Sequence, residues 1–173
     1  MTPNYAIAGE TPADDAAIAS LHEEAFGPGR FARAAERVRE GGPHDPALSF
    51  VARNDEGDLV GSVRMTPIVV GDGGGGTGCL LGPLAVRPNA KRNGVGGALI
   101  ERACEAAREQ GHRFVLLVGD EPYYGRHGFA RARGPVMPGP VDPARLLVRW
   151  LEAPSELTGQ VRHAAGARRR LRP

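Results

Sequence analysis

The sequence predicts an α/β (α+β) domain with a mixed, mostly antiparallel sheet of about six to seven strands and helices on both faces. Three strand-like runs, "ALSFVAR", "LVGSVRMTPIVV" and "CLLGPLAVRP", follow one another with only turn sequences between them, which indicates an antiparallel meander. A helical pattern from Val95 to Gln110 then leads into the continuous apolar run "RFVLLVG", which is typical of a strand buried on both faces. This passage predicts one parallel crossover in an otherwise antiparallel sheet.

The segments that flank this central part predict further elements. "NYAIA" indicates a short first strand. Thr11 and Asp14 have the spacing of a capping box, and apolar residues then recur at helical spacing, so we expect a helix from Pro12 to Phe26. A second helical stretch, Phe31 to Glu40, ends at a glycine pair. Near the C-terminus, "LLVRWL" predicts a strand after a proline- and glycine-rich loop.

The length of 173 residues is that of one domain, and the net charge of +2 comes from mostly interspersed acids and bases. Such a surface does not favour a nucleic-acid partner. From residue 161 to the end, five arginines occur without an acid, namely Arg162, Arg168, Arg169, Arg170 and Arg172. We expect one domain at 1–160 and a solvated basic tail at 161–173, with a nucleic-acid or membrane arm as the alternative.

Cysteine spacing and hydropathy restrict the class of protein further. Cys79 and Cys104 lie far apart without partners at metal-ligand spacing, which predicts buried thiols in a reducing compartment and no metal site. The N-terminus lacks the basic start and apolar core of a signal peptide, and no run approaches the roughly 20 apolar residues of a membrane span. We therefore expect a soluble, cytoplasmic protein without a membrane partner.

Two glycine-rich segments compete as phosphate-binding loops. "GGGGTG", at residues 73–78, matches the dinucleotide pattern G-x-G-x-x-G letter for letter, but the segment that follows it is another strand. That pattern binds a pyrophosphate only where its glycines begin a helix. We therefore interpret this first segment as a flexible hairpin loop.

The second segment, "KRNGVGGALI" from Lys91 to Ile100, has the required context, because a strand precedes it and a helix begins at its glycines. The free N–H groups and the dipole of a helix N-terminus favour a phosphate. A P-loop would end in Gly-Lys-Ser/Thr, whereas here Lys91 precedes the glycines and no hydroxyl follows. A dinucleotide fingerprint would want glycine at Leu99 and a parallel sheet, so that interpretation is also disfavoured.

The segment from Lys91 to Gly96 resembles the R/Q-x-x-G-x-G/A motif of the GNAT superfamily of N-acetyltransferases, with lysine where that family usually has arginine or glutamine. "GPLAVRP" resembles the family's fourth strand, "FVLLVG" its fifth, and "YYGRHGF" the Tyr-x-x-x-Gly-Phe segment that follows. The resemblance covers Asn4 to Arg131. Taken together, the motifs are most similar to the YhbS-like branch of the family.

The resemblance implies acetyl-CoA as cosubstrate, bound where the central strands splay apart at a bulge that Pro83 would favour. The loop residues implied to hold its pyrophosphate are Asn93, Gly94, Val95, Gly96 and Gly97. Lys91 and Arg92 either add charge near the phosphates or are solvated loop cations. The backbone groups implied to meet the pantetheine arm and the thioester carbonyl, and to stabilise an oxyanion there, are those of Leu84, Ala85 and Val86.

The resemblance also places Tyr124, four residues before Gly128, at the position of the family's general acid; the alternative is that its ring only packs. No glutamate occupies the fourth-strand position where many family members have the general base. Asp120 and Glu121 are substitutes, although we expect them to cap the short helix that follows. Residues that could line the acceptor cleft, or simply lie on the surface, are His22, Glu23, Glu24 and His44; His127 is expected on the surface.

The implied function is transfer of an acetyl group from acetyl-CoA to an amine, on a small molecule or a protein, by direct attack on the thioester. The alternative is a non-catalytic acyl-CoA-binding or sensor module, which the missing glutamate motivates. We allow for a homodimer in either case.

Overall fold

The computed structural model describes residues 4–27 and 34–165, and this part of the chain contains nine strands and four α-helices. The strands are β1 Tyr5–Gly9, β2 Phe50–Asn54, β3 Leu59–Val70, β4 Gly78–Val86, β5 Phe114–Val118, β6 Ala130–Arg131, β7 Pro135–Val136, β8 Leu146–Trp150 and β9 Gly159–His163. The helices are α1 Asp15–Phe26, α2 Ala34–Arg39, α3 Val95–Glu109 and α4 Glu121–Tyr124. The sheet has the order β1-β2-β3-β4-β5-β8-β6, while β9 pairs with β3 and β7 pairs with β9.

The predicted fold class is confirmed. β2, β3 and β4 form an antiparallel meander. Asn54 shapes its first turn, because its side-chain oxygen accepts hydrogen bonds from the backbone N–H groups of Glu56 and Asp58 at 3.1 and 2.9 Å. β4 and β5 lie parallel with α3 between them in sequence, which is the predicted crossover. β7 and β9 also pair in parallel, so the rest of the sheet is not wholly antiparallel as expected.

The two faces of the sheet carry different helices. Leu81 and Val115 belong to the core beneath α3, whereas their chain neighbours Leu80 and Leu116 belong to the core beneath α2. This alternation follows from the two-residue period of a strand. α1 packs on the same face as α2, where Val51 of β2 is buried against it.

The sheet opens along β4. The pairing of β4 with β3 shifts by one residue at Gly82 and Pro83, so the bulge that the sequence predicted is present. β4 pairs with β5 only at Cys79 and Leu80. Beyond Leu80 the two central strands part, and the second half of β4 keeps hydrogen-bond pairing with β3 alone.

The N-terminal helices differ slightly from the expectation. The residues Pro12–Asp14 form a 3₁₀ turn, and α1 begins only at Asp15. The Asp14 carboxylate accepts a hydrogen bond from the Thr11 backbone N–H at 2.8 Å, as a capping box requires. α2 ends at Arg39, and the expected start of this helix at Phe31 lies outside the described residues.

The C-terminal part corrects two expectations. The proline-rich loop contains the two-residue strands β6 and β7, so the sheet has more than the expected number of strands. The boundary expected at residue 160 falls inside β9, because residues 161–163 pair with β3. Such pairing is decided by a distant partner strand, which leaves little local signal. The remaining arginines of the expected tail, from Arg168 onward, lie outside the described residues.

The cysteines are buried, as predicted, and neither forms a disulfide. Burial raises the pKa of the Cys104 thiol to about 11 and also raises that of Cys79, so both are unreactive. Within residues 4–27 and 34–165, no group of three or more His, Cys, Asp or Glu side chains is arranged to hold a metal ion. No helix in these ranges is both long and apolar enough to cross a membrane.

Candidate active site

Three cavities follow one another along β4 beyond the point where it parts from β5. The α3-side cavity, of about 470 Å³, is lined by residues that include Leu84, Ala85, Val86, Lys91, Gly96 and Tyr123. The α2-side cavity, of about 350 Å³, is lined by residues that include Glu36, Arg39, Leu81, Asp142 and Arg145. The His44 cavity, of about 320 Å³, is lined by residues that include His22, His44, Arg64 and Thr66.

The three cavities form one continuous groove across the β4 bulge. Leu84 and Tyr124 line both the α3-side and the α2-side cavities. Gly82 and Pro83 line both the α2-side and the His44 cavities. A molecule bound at the start of α3 and one bound beneath α2 would therefore meet at Leu84 and Tyr124.

The N-terminus of α3 faces the α3-side cavity. Gly94 is the N-cap at φ +76°, a left-handed conformation that favours glycine. The Ala98 N–H donates to the Gly94 carbonyl at 3.0 Å, so the N–H groups of Val95, Gly96 and Gly97 precede the first α-helical bond. These groups and the helix dipole favour an anion at this end of the cavity.

The two basic loop residues are placed differently. Both side chains are exposed, but Lys91 lines the α3-side cavity and Arg92 does not. Both belong to the 3₁₀ turn Pro88–Asn93, which leads into the N-cap glycine. Their positions favour a phosphate role for Lys91 and a solvated one for Arg92.

Aromatic rings cover two of the loop glycines. A Cβ atom at Gly96 would lie 2.5 Å from the Tyr123 hydroxyl oxygen, and one at Gly97 would lie 2.8 Å from Cε1 of His127. The two rings pack against each other with centroids 5.7 Å apart. The absence of side chains at these glycines therefore makes room for the rings. His127, which was expected on the surface, has a side chain only 20% exposed because it packs on the start of α3.

The open edge of β4 forms the floor of the groove. Leu84, Ala85 and Val86 pair with β3 on one side, at Val63, Ser62 and Gly61 respectively. Their other edge has no β5 partner, because the pairing of β4 with β5 ends at Leu80. Backbone N–H and C=O groups along this edge are available to a bound chain of amides.

Tyr124 lies at the junction of the two larger cavities. Its ring packs closely on Gly119 at the end of β5, where a Cβ atom would lie 2.3 Å from Cε2 of the ring. It also packs edge to face against Tyr123 and Phe129. Burial, reinforced by Tyr123 and Asp120, raises the pKa of Tyr124 to about 12, while Arg145 opposes this shift. The hydroxyl is therefore protonated at neutral pH.

The two acids after β5 do not cap α4 with their side chains. Asp120 is at the N-cap position, but its carboxylate makes no capping hydrogen bond and lies 3.4 Å from Arg145. Glu121 accepts a hydrogen bond from Arg131 at 3.0 Å. The expected caps are absent because each carboxylate pairs with an arginine brought near by the C-terminal strands.

The residues expected around the acceptor separate into two groups. His22 and His44 line the His44 cavity, and both are more buried than plain surface residues. Glu24 lines the α3-side cavity and lies 3.5 Å from Arg87. Glu23 is exposed and lines none of the three cavities.

Several residues in the groove wall or directly behind it carry no distinctive sequence pattern. Glu10 bonds through one carboxylate oxygen to His44 Nε2, and its other oxygen accepts from Arg64 Nε at 3.1 Å. Arg39 and Glu36 form an ion pair on α2 that lines two of the cavities. In the sequence there is nothing unusual about an acid at the end of an edge strand or charges on a short helix. Only their proximity in the folded structure identifies them as candidate site residues.

A mixed sheet that parts beside a helix N-terminus, with a protonated tyrosine at the point of parting, defines an acyltransferase type of site. The model of the Acetyltransferase (GNAT) family matches residues 16–134, and the chain belongs to this family. The predicted membership and the predicted class of enzyme, an N-acetyltransferase, are confirmed.

Individual proteins that are similar to this chain in sequence or structure belong to the same class of enzyme. The chain is 34% identical over 160 residues to the protein named Uncharacterized N-acetyltransferase YjhQ of Escherichia coli K12, with 87% of each chain covered. The crystal structure of E. coli YhbS in complex with CoA has a TM-score of 0.76 and 26% identity, covering 99% of this chain and 96% of YhbS. A GNAT acetyltransferase of Brucella melitensis in complex with acetyl-CoA has a TM-score of 0.66 and 28% identity, covering 95% and 99%.

Proposed function

We propose that this chain transfers the acetyl group of acetyl-CoA to an amine by direct attack of the amine on the thioester. The observation that carries the proposal is the junction at Leu84 and Tyr124, which line both the α3-side and the α2-side cavities. The cosubstrate would enter from the α3 side and the acceptor from the α2 side, so that the reacting atoms meet beside the tyrosine.

The α3-side cavity suits acetyl-CoA. The first-turn N–H groups of α3, from Val95 to Gly97, and the cavity-lining Lys91 would bind the pyrophosphate. The unpaired edge of β4 from Leu84 to Val86 would bind the amides of the pantetheine arm. The E. coli YhbS structure that superimposes on this chain contains CoA, which supports the assignment.

Tyr124 is the group proposed to give a proton to the departing sulfur. When the amine nitrogen bonds to the carbonyl carbon and the C–S bond breaks, the thiolate needs one proton. Burial keeps the Tyr124 hydroxyl protonated, since it raises the pKa to about 12. The same desolvation raises the pKa of a thiol in the groove, so the donor and the acceptor of this proton shift in the same direction.

The cysteines support direct attack over a covalent acetyl-enzyme. A thioester relay would need a thiolate at the junction. Both cysteines of the chain, Cys79 and Cys104, are buried in the core, and neither lines any of the three cavities.

The test is release of free thiol from acetyl-CoA with a panel of small amines. Tyr124→Phe should lower kcat about 100-fold while acetyl-CoA affinity stays within about twofold, because only the proton donor is lost. Tyr123→Phe is the matched comparison, since it removes the same atom from the adjacent ring. We expect it to alter the KM for acetyl-CoA more than kcat, because its hydroxyl lies over Gly96.

The pH profile adds a check on Tyr124. A pKa raised to about 12 means that the protonated form persists from neutral pH up to about pH 11. Ionisation of Tyr124 should therefore cause no fall in wild-type kcat between pH 8 and pH 10. Acetyl-CoA binding without turnover of any amine would support a non-catalytic module instead, and no binding at millimolar acetyl-CoA would overturn the proposal.

A further inference from the structure

His44 and Arg64, which line the His44 cavity, both contact the buried carboxylate of Glu10. His44 Nε2 bonds to Oε1 of Glu10, whose side chain is only 3% exposed. The second oxygen of Glu10 accepts from Arg64 Nε at 3.1 Å. Because this side chain is buried and does not line the cavity, Glu10 contacts His44 and Arg64 rather than a molecule in the cavity.

The backbone on both sides of His44 is fixed. The Asp45 N–H donates to the Met65 carbonyl of β3 at 2.8 Å. On the other side, the Pro43 carbonyl lies 2.8 Å from Nε2 of the buried His163. The imidazole is therefore held against β3 by its neighbours in the chain and by Glu10, while its side chain remains 27% exposed to the cavity.

The contact with Glu10 selects the form of the imidazole. A carboxylate accepts hydrogen bonds, so the neutral ring carries its proton on Nε2 and leaves Nδ1 with a free lone pair. Nδ1 makes no hydrogen bond within the described part of the chain. A histidine oriented by a buried carboxylate in this way presents its second ring nitrogen to the cavity as a proton acceptor.

The cavity also contains a polar group that a ligand could satisfy. The Thr66 hydroxyl is buried, lines the same cavity as His44, and has no hydrogen-bond partner among the described residues. A buried hydroxyl without a partner is unfavourable, and a polar ligand would supply one. The cavity reaches the bulge at Gly82 and Pro83 and so adjoins the cavity that contains Tyr124.

We propose that His44 is the general base of this N-acetyltransferase and that Glu10 is its positioning residue, a step that rests on the proposed function. Nδ1 of His44, directly or through one water, takes one proton from the acceptor ammonium. The resulting neutral amine forms the N–C bond as the C–S bond breaks, and Tyr124 protonates the sulfur. The nitrogen then loses its second proton, which passes through solvent to the Tyr124 phenolate, and His44 releases its proton to solvent.

An acceptor-independent test is the tautomer of His44 in the free protein, read from ¹H–¹⁵N NMR of the imidazole nitrogens. The signal is assigned by its loss in His44→Gln. We expect the neutral ring to be the Nε2–H tautomer, and we expect Glu10→Gln to remove this preference because an amide can donate a hydrogen bond as well as accept one. A neutral ring with its proton on Nδ1 in the wild type would overturn the proposal, since that nitrogen could not then accept another.

The kinetic test uses His44→Gln, in which the amide N–H can still donate to Glu10 while the proton acceptor is lost. With an alkylamine such as ethylamine, kcat should fall about 100-fold, whereas with 2,2,2-trifluoroethylamine, which is neutral at neutral pH, it should fall less than about fivefold. His112→Gln is the matched control, because His112 follows the opposite end of α3 and lines none of the three cavities.

The outcomes separate this proposal from the proposed function. Equal losses for both amines, or kcat of His44→Gln within threefold of the wild type, would overturn the role of His44 while leaving the transferase intact. Lack of wild-type turnover with every amine would instead overturn the proposed function, and the tautomer measurement would still decide whether Nδ1 is free.

Discussion

The two glycine-rich loops of this chain have similar sequences and different physical roles. In the loop between β3 and β4, the N–H groups of Gly73, Gly74 and Gly76 donate to Val70, Asp72 and Gly73 respectively, at 3.2, 2.8 and 3.0 Å. These three N–H groups are therefore bonded within the loop and are not available to a ligand. In the loop before α3, the glycines precede the first α-helical hydrogen bond, so their N–H groups remain for a ligand.

The difference between the loops comes from the element that follows each of them. The first loop is followed by a strand and joins the two strands of a hairpin, so its N–H groups bond to acceptors within the turn. A helix after the second loop leaves unpaired donors and the positive end of a dipole. The sequence pattern G-x-G-x-x-G is present in the first loop, which has neither unpaired helical donors nor a helix dipole. The pattern therefore indicates a phosphate site only where a helix follows it.

The sharpest test of this comparison places the same residue at Gly94 and at Gly73. Both have positive φ, +76° and +85°, and neither position is crowded. Gly94→Glu should weaken acetyl-CoA binding about 100-fold, because a carboxylate would repel the pyrophosphate and left-handed strain costs about 1–2 kcal/mol. Isothermal titration calorimetry measures the affinity.

Gly73→Glu is the matched control for this charge and strain. It should lower stability by a similar amount and leave acetyl-CoA affinity within about twofold, because its loop is closed by its own hydrogen bonds. Equal losses of affinity in the two variants would show that the loops do not differ as the structure indicates.

A smaller effect is expected from the cations of the second loop. Lys91→Ala should weaken acetyl-CoA binding about three- to tenfold at low salt, with the difference shrinking at high salt, because Lys91 lines the cavity but is exposed. Arg92→Ala, measured in the same titrations, should change the affinity less than about twofold. A larger loss for Arg92→Ala would reverse the assignment of the two cations.

The smallest effect on function is expected from Gly76→Ala in the first loop. Gly76 has φ +82°, and a Cβ atom there would lie 2.7 Å from Cδ of Arg113. We expect a loss of about 1 kcal/mol in unfolding free energy, seen as a fall of about 2–4 °C in Tm, with acetyl-CoA affinity unchanged. Gly9→Ala, where nothing lies within 4 Å and φ is not positive, should leave Tm nearly unchanged. Weaker acetyl-CoA binding by Gly76→Ala would contradict the structural role of this loop.

Much of the fold follows from local sequence. The meander, the crossover through α3 and the buried β5 were predictable because hydrophobic period and turn residues act over a few positions. The pairing of residues 161–163 with β3 was not predictable, because edge pairing depends on a strand about ninety residues away and on no local pattern. The arginine partners of Asp120 and Glu121 were missed for the same reason.

The site was predictable to different degrees on its two sides. On the α3 side, the residues proposed to bind the cosubstrate lie in one continuous stretch of chain from Leu84 to Gly97, so motif and spacing were sufficient to propose them. The acceptor side gathers groups from the end of β1, from α2, from β3 and from the loop before β2. Glu10 and His44 are separated by 34 positions, and neither has a distinctive neighbour in sequence.

The sequence by itself determined the meander, α1, α3 and β5, and which loop begins a helix, because these depend on residues within one or two turns of each other. It also determined where Tyr124 lies relative to the end of β5. Tertiary structure alone decided that β4 and β5 part after Leu80, that Tyr124 joins two cavities, and that His44 bonds to a buried carboxylate. These features arise from contacts between segments that are far apart in the sequence. The energies of such contacts cannot be inferred from a local sequence pattern.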